Sequence, residues 1–212
     1  MAKGDFQDVL QSPLETYEEG LAFLAGKGIM QSTLERLAAD LEEHGIDYCV
    51  IGAVALNQHG YKRFTIDIDL LMSKEGLLRF REELAGRGYR PAFEGATKRF
   101  RAVKENVPID VVTAGEYPGD GRPKPVQFPE PADASVTIAG VRTLRLEKLI
   151  ELKLASGMTA PDRVKDLGDV QELIRVLRLD RSFAENLHPY VRERFLELQQ
   201  GVAQAGDRDR QP

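Results

Sequence analysis

The sequence predicts an α+β fold, a mixed β-sheet core spanning 46–143 with helices on both sides. Three observations predict it. β-rich runs recur between 46 and 143, bounded by glycine and asparagine turns. Helical periodicity precedes them over 14–44. From Leu146 the character changes again to long helical patterns.

Taken in order, Leu34, Leu37, Ala38 and Leu41 keep the spacing of one apolar helix face, and Gly45 stops that helix. Ile46 to Ile51 reads as a strand ending at Gly52, and Ala53 to His59 as a short helix closed by Gly60. Thr65 to Met72 reads as a second strand in which acids alternate with apolar residues, and Lys74 to Ala85 as a helix. Tyr89–Phe93, Lys98–Val103 and Val107–Thr113 are three further strands. Five prolines between Pro118 and Pro131 make the next segment a loop, because proline at that density supports neither ladder nor helix. Val136–Ile138 and Val141–Thr143 form a hairpin around Gly140, and helical patterns follow over 145–157, 163–178 and 188–204. The expected division is an N-terminal helical segment (1–45), an α/β core (46–143), a C-terminal helical segment (144–205) and a flexible tail (206–212). The pattern leaves the strand order open.

The composition narrows the class. There are 212 residues, 42% apolar, with 29 Lys and Arg against 34 Asp and Glu, a formal charge of −5. That balance suits a globular chain and excludes collagen-like or wholly disordered classes. The single cysteine, Cys49, permits no internal disulfide and reads as a buried small hydrophobe. The N-terminus lacks an apolar signal region and the longest apolar stretch is far short of a membrane span, so a cytoplasmic protein with no membrane contact is expected. His44, His59 and His188 are too scattered for a zinc site, and no P-loop, G-x-S-x-G or Cys–His arrangement is present.

The informative segment is Arg63-Phe64-Thr65-Ile66-Asp67-Ile68-Asp69-Leu70. In a strand, residues i and i+2 share a face, so Asp67 and Asp69 project together while Ile66, Ile68 and Leu70 turn to the core. Two carboxylates so close need a cation or strong donors, and an oxygen-rich site with room for water suits Mg²⁺, with Mn²⁺ as the alternative ion. A solvated D-x-D is common, but here both acids interrupt an otherwise apolar strand. Asp110, inside Pro108-Ile109-Asp110-Val111-Val112, adds a third carboxylate if the two strands are neighbours. Such a cluster clamps a transferring phosphoryl group. Upstream, Gly52 allows close backbone approach in a strand-to-helix turn that can cradle phosphate.

The combination of glycine turn, D-x-D and later strand acid resembles the nucleotidyltransferase fold of the DNA polymerase β superfamily, mapped as Gly52-Ala53, Asp67-Ile68-Asp69 and Asp110. The stretch GAVALNQHGYKRFTIDIDL looks like that of small prokaryotic nucleotidyltransferase-like proteins, including the abortive-infection type of toxin. The resemblance covers roughly 46–175. It implies that Asp67 and Asp69 bind Mg²⁺ and, through it, the nucleotide phosphates. It implies that Asp110 completes the metal site and assists activation of an acceptor hydroxyl. It also implies nucleotide contacts from Gly52, Ala53, Arg63, Thr65 and Lys153, with Asp166 in the Arg163-Val164-Lys165-Asp166 stretch as a secondary candidate. Ala53 departs from the family's Gly or Ser; it keeps the backbone N–H but supplies no hydroxyl.

From the residues themselves, Asp166 equally suits the start of a helix, and Lys153 a solvent-facing helix position. Between Arg87 and Lys104 lie six basic residues against Glu94 alone. Strand alternation places Arg99 and Arg101 on one face, where they serve triphosphate or nucleic acid, or discourage edge pairing. The first expectation is an Mg²⁺-dependent enzyme transferring NMP from an NTP to an RNA, protein or small-molecule hydroxyl. The alternative is a catalytically silent member of the same fold acting on a partner protein, as in a toxin–antitoxin pair. RNA binding without transfer is the third.

Overall fold

The computed structural model describes residues 5–208. Its helices and strands, in chain order, are α1 (Phe6–Val9), α2 (Pro13–Leu24), α3 (Gly28–Glu43), β1 (Tyr48–Val50), α4 (Gly52–Gln58), β2 (Ile68–Met72) and α5 (Lys74–Arg79). β3 (Tyr89–Pro91), β4 (Arg99–Ala102), β5 (Pro108–Thr113), α6 (Pro131–Ala134), β6 (Ser135–Ile138) and β7 (Val141–Leu144) follow. The chain ends with α7 (Leu146–Thr159), α8 (Val164–Leu177) and α9 (Pro189–Arg208). The fold is α+β.

Two compact units make up the chain. The first comprises Met1–Gln58, Lys62–Ala114 and Glu130–Leu144; the second comprises His59–Tyr61, Gly115–Pro129 and Arg145–Pro212. All seven strands belong to the first, as one sheet of order β3-β4-β5-β2-β1-β7-β6. β2 and β5 run parallel, as do β1 and β7, and the other neighbours are antiparallel. One sheet face carries Val50, Ile68, Leu70, Ile109, Val111, Phe100 and Tyr89 into a core shared with Leu34, Leu37 and Leu41 of α3. Phe80 anchors this layer, its ring 4.8 Å from that of Phe100 and 5.4 Å from that of Tyr89. Burying aromatic rings in such edge-on contacts adds about 0.5–1.5 kcal/mol per pair to the area term.

The continuous helical pattern over 14–44 becomes two helices. Gly26 and Gly28 take φ of +71° and +90°, which ends α2 and starts α3 at a new angle. The break is stabilised from within. Glu19, buried in α2, accepts the amide of Met30 at 2.9 Å, so a carboxylate caps the α3 N-terminus. A Cβ on Gly28 would stand 2.7 Å from that carboxylate. The predicted helix over 74–85 is α5, capped by Ser73 and continued by a π-helical turn at Phe80–Leu84 that turns Phe80 and Leu84 inward.

In the second unit, α7 and α8 approach closely at Gly157, where a Cβ would meet Leu167 at 2.6 Å. The proline-rich segment is a loop, held by Lys124, whose ammonium donates to Pro118 O at 2.6 Å and to Asp120 at 2.5 Å. α9 continues through Arg208 into the expected tail, and 209–212 lie outside the described residues. Among the described residues, no helix is long and apolar enough to cross a membrane.

Candidate active site

Residue pairing builds the site. In the parallel β2–β5 register Asp69 stands opposite Asp110, on the face away from the α3 core. Asp67 joins them from the segment leading into β2. One carboxylate oxygen from each of Asp67, Asp69 and Asp110 lies within 4.8 Å of the others, and all three residues are half-buried.

Asp67 does not reach this position by strand alternation. β2 starts at Ile68, not at Thr65, and Ile66 is 47% exposed rather than turned to the core. Other contacts fix the segment. Asn57, on α4, accepts the amide of Arg63 at 2.8 Å and donates to the Arg63 and Ala53 carbonyls at 2.5 and 2.9 Å. Phe64 packs against Phe23, ring centroids 6.4 Å apart. The Thr65 hydroxyl, itself buried, donates to Asp67 Oδ1. Asn57 was not among the residues the sequence singled out; an asparagine at a helix end is an ordinary sight, and its reach of six residues is visible only in three dimensions.

Gly52 has two reasons to be glycine. Its φ is +60°, and a Cβ there would lie 1.9 Å from Asp69 Oδ2. The backbone at the start of α4 therefore lies directly against the Asp69 carboxylate. Ala53 follows in the first turn of α4 and is buried.

Burial pushes the Asp110 carboxyl up from its ordinary value; Arg99 opposes this, Asp67 reinforces it and Arg101 opposes it again. Arg99 pairs with Asp110 across β4–β5, its Nε 4.0 Å from Oδ1. Oxygen donors alone, gathered from three carboxylates that repel one another, fit a hard divalent cation better than a softer metal.

The remaining candidates lie in the second unit. Lys153 of α7 is buried, its ammonium 3.0 Å from Asp166 and 2.7 Å from Asp169, both on α8. Asp166 also accepts from Ser156 at 2.7 Å and from Arg163 at 2.9 Å. Burial raises the Asp166 carboxyl, but the neighbouring Lys153 charge, the Ser156 and Lys153 hydrogen bonds and Arg163 outweigh it and hold the group below its usual range. Asp166 thus sits in the first turn of α8 as one member of a buried ion cluster joining two helices.

No protein-family model matches the chain, and no curated protein matches it. Solved structures are similar to it. The antibiotic-resistance factor ANT(2'')-Ia in solution is 18% identical, over 82% of this chain and 98% of that one, with a TM-score of 0.49. The same factor with adenylyl-2''-tobramycin gives 18% identity over 83% and 97%, with a TM-score of 0.46. A Thermotoga maritima protein, described provisionally as a nucleotidyltransferase, is 14% identical over 63% of this chain and 89% of that one, with a TM-score of 0.44. These likenesses are distant, and the functional reading rests on the carboxylates themselves.

Proposed function

We propose that the chain transfers a nucleotidyl group from an NTP to a hydroxyl acceptor with the help of a divalent cation, Mg²⁺ or Mn²⁺. The observation that carries this reading is the convergence of Asp67, Asp69 and Asp110, with the Gly52 backbone against Asp69. A divalent cation bound there supplies charge neutralisation for the phosphates and for the transferring phosphoryl group. Asp67 and Asp69 would hold it, with Asp110 as third ligand.

In the transfer, the acceptor oxygen bonds to the α-phosphorus, the bond from that phosphorus to the oxygen bridging to the β-phosphate breaks, and pyrophosphate leaves. The hydroxyl proton passes to Asp110, the carboxylate that Arg99 flanks at the edge of the cluster. Such chemistry demands placement and charge more than a strong nucleophile. Gly52 lies against Asp69 and Thr65 donates to Asp67, and with Ala53 and Arg63, both bonded to Asn57, they are the proposed nucleotide-binding set. Lys153 and Asp166 receive a structural role, because each already satisfies the other in the interior of the second unit.

One observation favours a second reading, in which the chain is a silent, partner-binding relative of such enzymes: Ala53 offers a phosphate no hydroxyl. Calorimetric titration with ATP, CTP, GTP and UTP, each with Mg²⁺, separates the two. Metal-dependent binding of at least one NTP, lost in Asp67→Asn/Asp69→Asn, is the expected result. A folded protein that binds none of the four overturns the transferase reading and leaves the partner-binding one.

A further inference from the structure

The carboxylates are the negative end of a longer charged row on one sheet face. Asp69 stands opposite Asp110, and Asp110 opposite Arg99. Two residues along β4 on the same face is Arg101, and directly opposite Arg101 on β3 is Arg90. The opposite face of the same strands buries Tyr89, Phe100 and Ala102, so the arginines are all turned one way.

Like charges directly opposed across two strands destabilise a sheet, and a neutral group lies between these two. Arg101 donates to the Asn106 carbonyl at 3.0 Å and to its side-chain oxygen at 3.3 Å, and Arg90 reaches that same oxygen at 3.4 Å. The amide orients both guanidinium groups without neutralising either. Asn106 is itself held in a left-handed conformation, φ +55°, with its amide nitrogen 2.9 Å from Asp5. Arg99 is 66% exposed. The segment from Arg87 to Lys104 holds six basic residues and one acid in a chain of net charge −5. A deterrent to edge pairing needs charge on the outermost strand alone, whereas here the row runs inward to the carboxylates.

We infer that Arg90, Arg99 and Arg101 bind successive phosphates of a single-stranded nucleic acid whose terminal hydroxyl is the acceptor at Asp110. The hydroxyl's role rests on the nucleotidyl-transfer reading; the binding of the strand does not. Neighbouring strands are about 4.8 Å apart, so β5 to β3 covers about 10 Å. Guanidinium groups match phosphate in geometry and keep their charge at any working pH. The chemistry of the step is that given above, with the strand's terminal oxygen forming the new bond to phosphorus and pyrophosphate leaving.

The test uses the full chain and a fluorescein-labelled 12-nucleotide single-stranded RNA, titrated at several salt concentrations, with melting curves to confirm folding. Arg90→Gln/Arg101→Gln, which leaves the Arg99 pair with Asp110 in place, should weaken binding roughly ten-fold or more. Its plot of log affinity against log salt should be shallower by roughly 1.4, two contacts at about 0.7 each. MgATP affinity should be retained, and Asp67→Asn/Asp69→Asn should still bind the RNA. Unchanged RNA affinity and salt slope in the folded arginine variant overturns the inference, as does a wild-type chain that binds no RNA. A loss of MgATP affinity equal to that of RNA also overturns it, since the row then serves the triphosphate. Failure of the wild-type chain to bind any of the four NTPs with Mg²⁺ removes the transferase reading while the RNA comparison still decides whether the row binds a strand.

Discussion

Asp110 carries two conflicting demands, a site that gathers negative charge and an interior that resists it. Its carboxyl is raised, so in the fold the protonated form is favoured relative to the unfolded chain. The associated stability is present below the ordinary aspartate pKa of about 3.9 and is lost as pH rises through the elevated value. At pH 7, without divalent cation, Asp110→Asn should therefore melt higher than wild type, by on the order of one or two degrees for a half-exposed group. The advantage should vanish near pH 3.5. Added Mg²⁺ should raise the wild-type melting temperature and leave the variant little changed. Melting curves with EDTA and with Mg²⁺ across that pH range check both. Lys153 behaves oppositely. Lys153→Met leaves Asp166 and Asp169 buried without their ammonium, at a cost of about 3–5 kcal/mol, or roughly 10 °C in melting temperature. The Asp166 contribution in wild type is present above the ordinary carboxylate range and fades as pH falls through its lowered value. A variant that melts normally but loses NTP affinity would make Lys153 a phosphate ligand instead.

Among the elements, the segment from α4 to β2 places the most chemistry with the least regular structure. Asn57 secures it by closing on both backbone groups of Arg63. Asn57→Ala should cost about 1–3 kcal/mol through unsatisfied partners and weaken metal-dependent NTP affinity, because Thr65 and Asp67 follow directly. Thermal melting and calorimetry on the same sample check it, and loss of stability with full NTP affinity would free Asp67 from dependence on this staple. The sequence made part of this legible. Asp69 and Asp110 could be read because strand alternation is local and both interrupt apolar runs. The start of β2 could not, since Thr65 and Ile66 have strand-like side chains and the contacts that hold the segment, Asn57 with Arg63 and Phe23 with Phe64, come from outside it in sequence. The split between α2 and α3 was similarly masked. The Glu19 carboxylate that stabilises the break acts eleven residues ahead on Met30, a contact that no local pattern announces.

At the scale of the molecule, the α+β class followed from the succession of patterns along the chain, but strand order did not. Placing β2 between β1 and β5 is a matter of long-range pairing, and it is that placement which brings Asp110 to Asp69. The two units differ in how they handle buried charge: the first leaves three carboxylates facing one another, while the second matches Asp166 and Asp169 with Lys153. The contact between Gly52 and Asp69 extends this to descent. The two residues occupy one another's space, so the order in which the site can decay is constrained. A lineage can give up the carboxylate at 69 while glycine stays at 52. A side chain arriving first at 52 meets both the carboxylate and a left-handed backbone. Among descendants of this chain, glycine at 52 beside an altered residue 69 is the expected fossil, and the reverse pairing is the one selection removes.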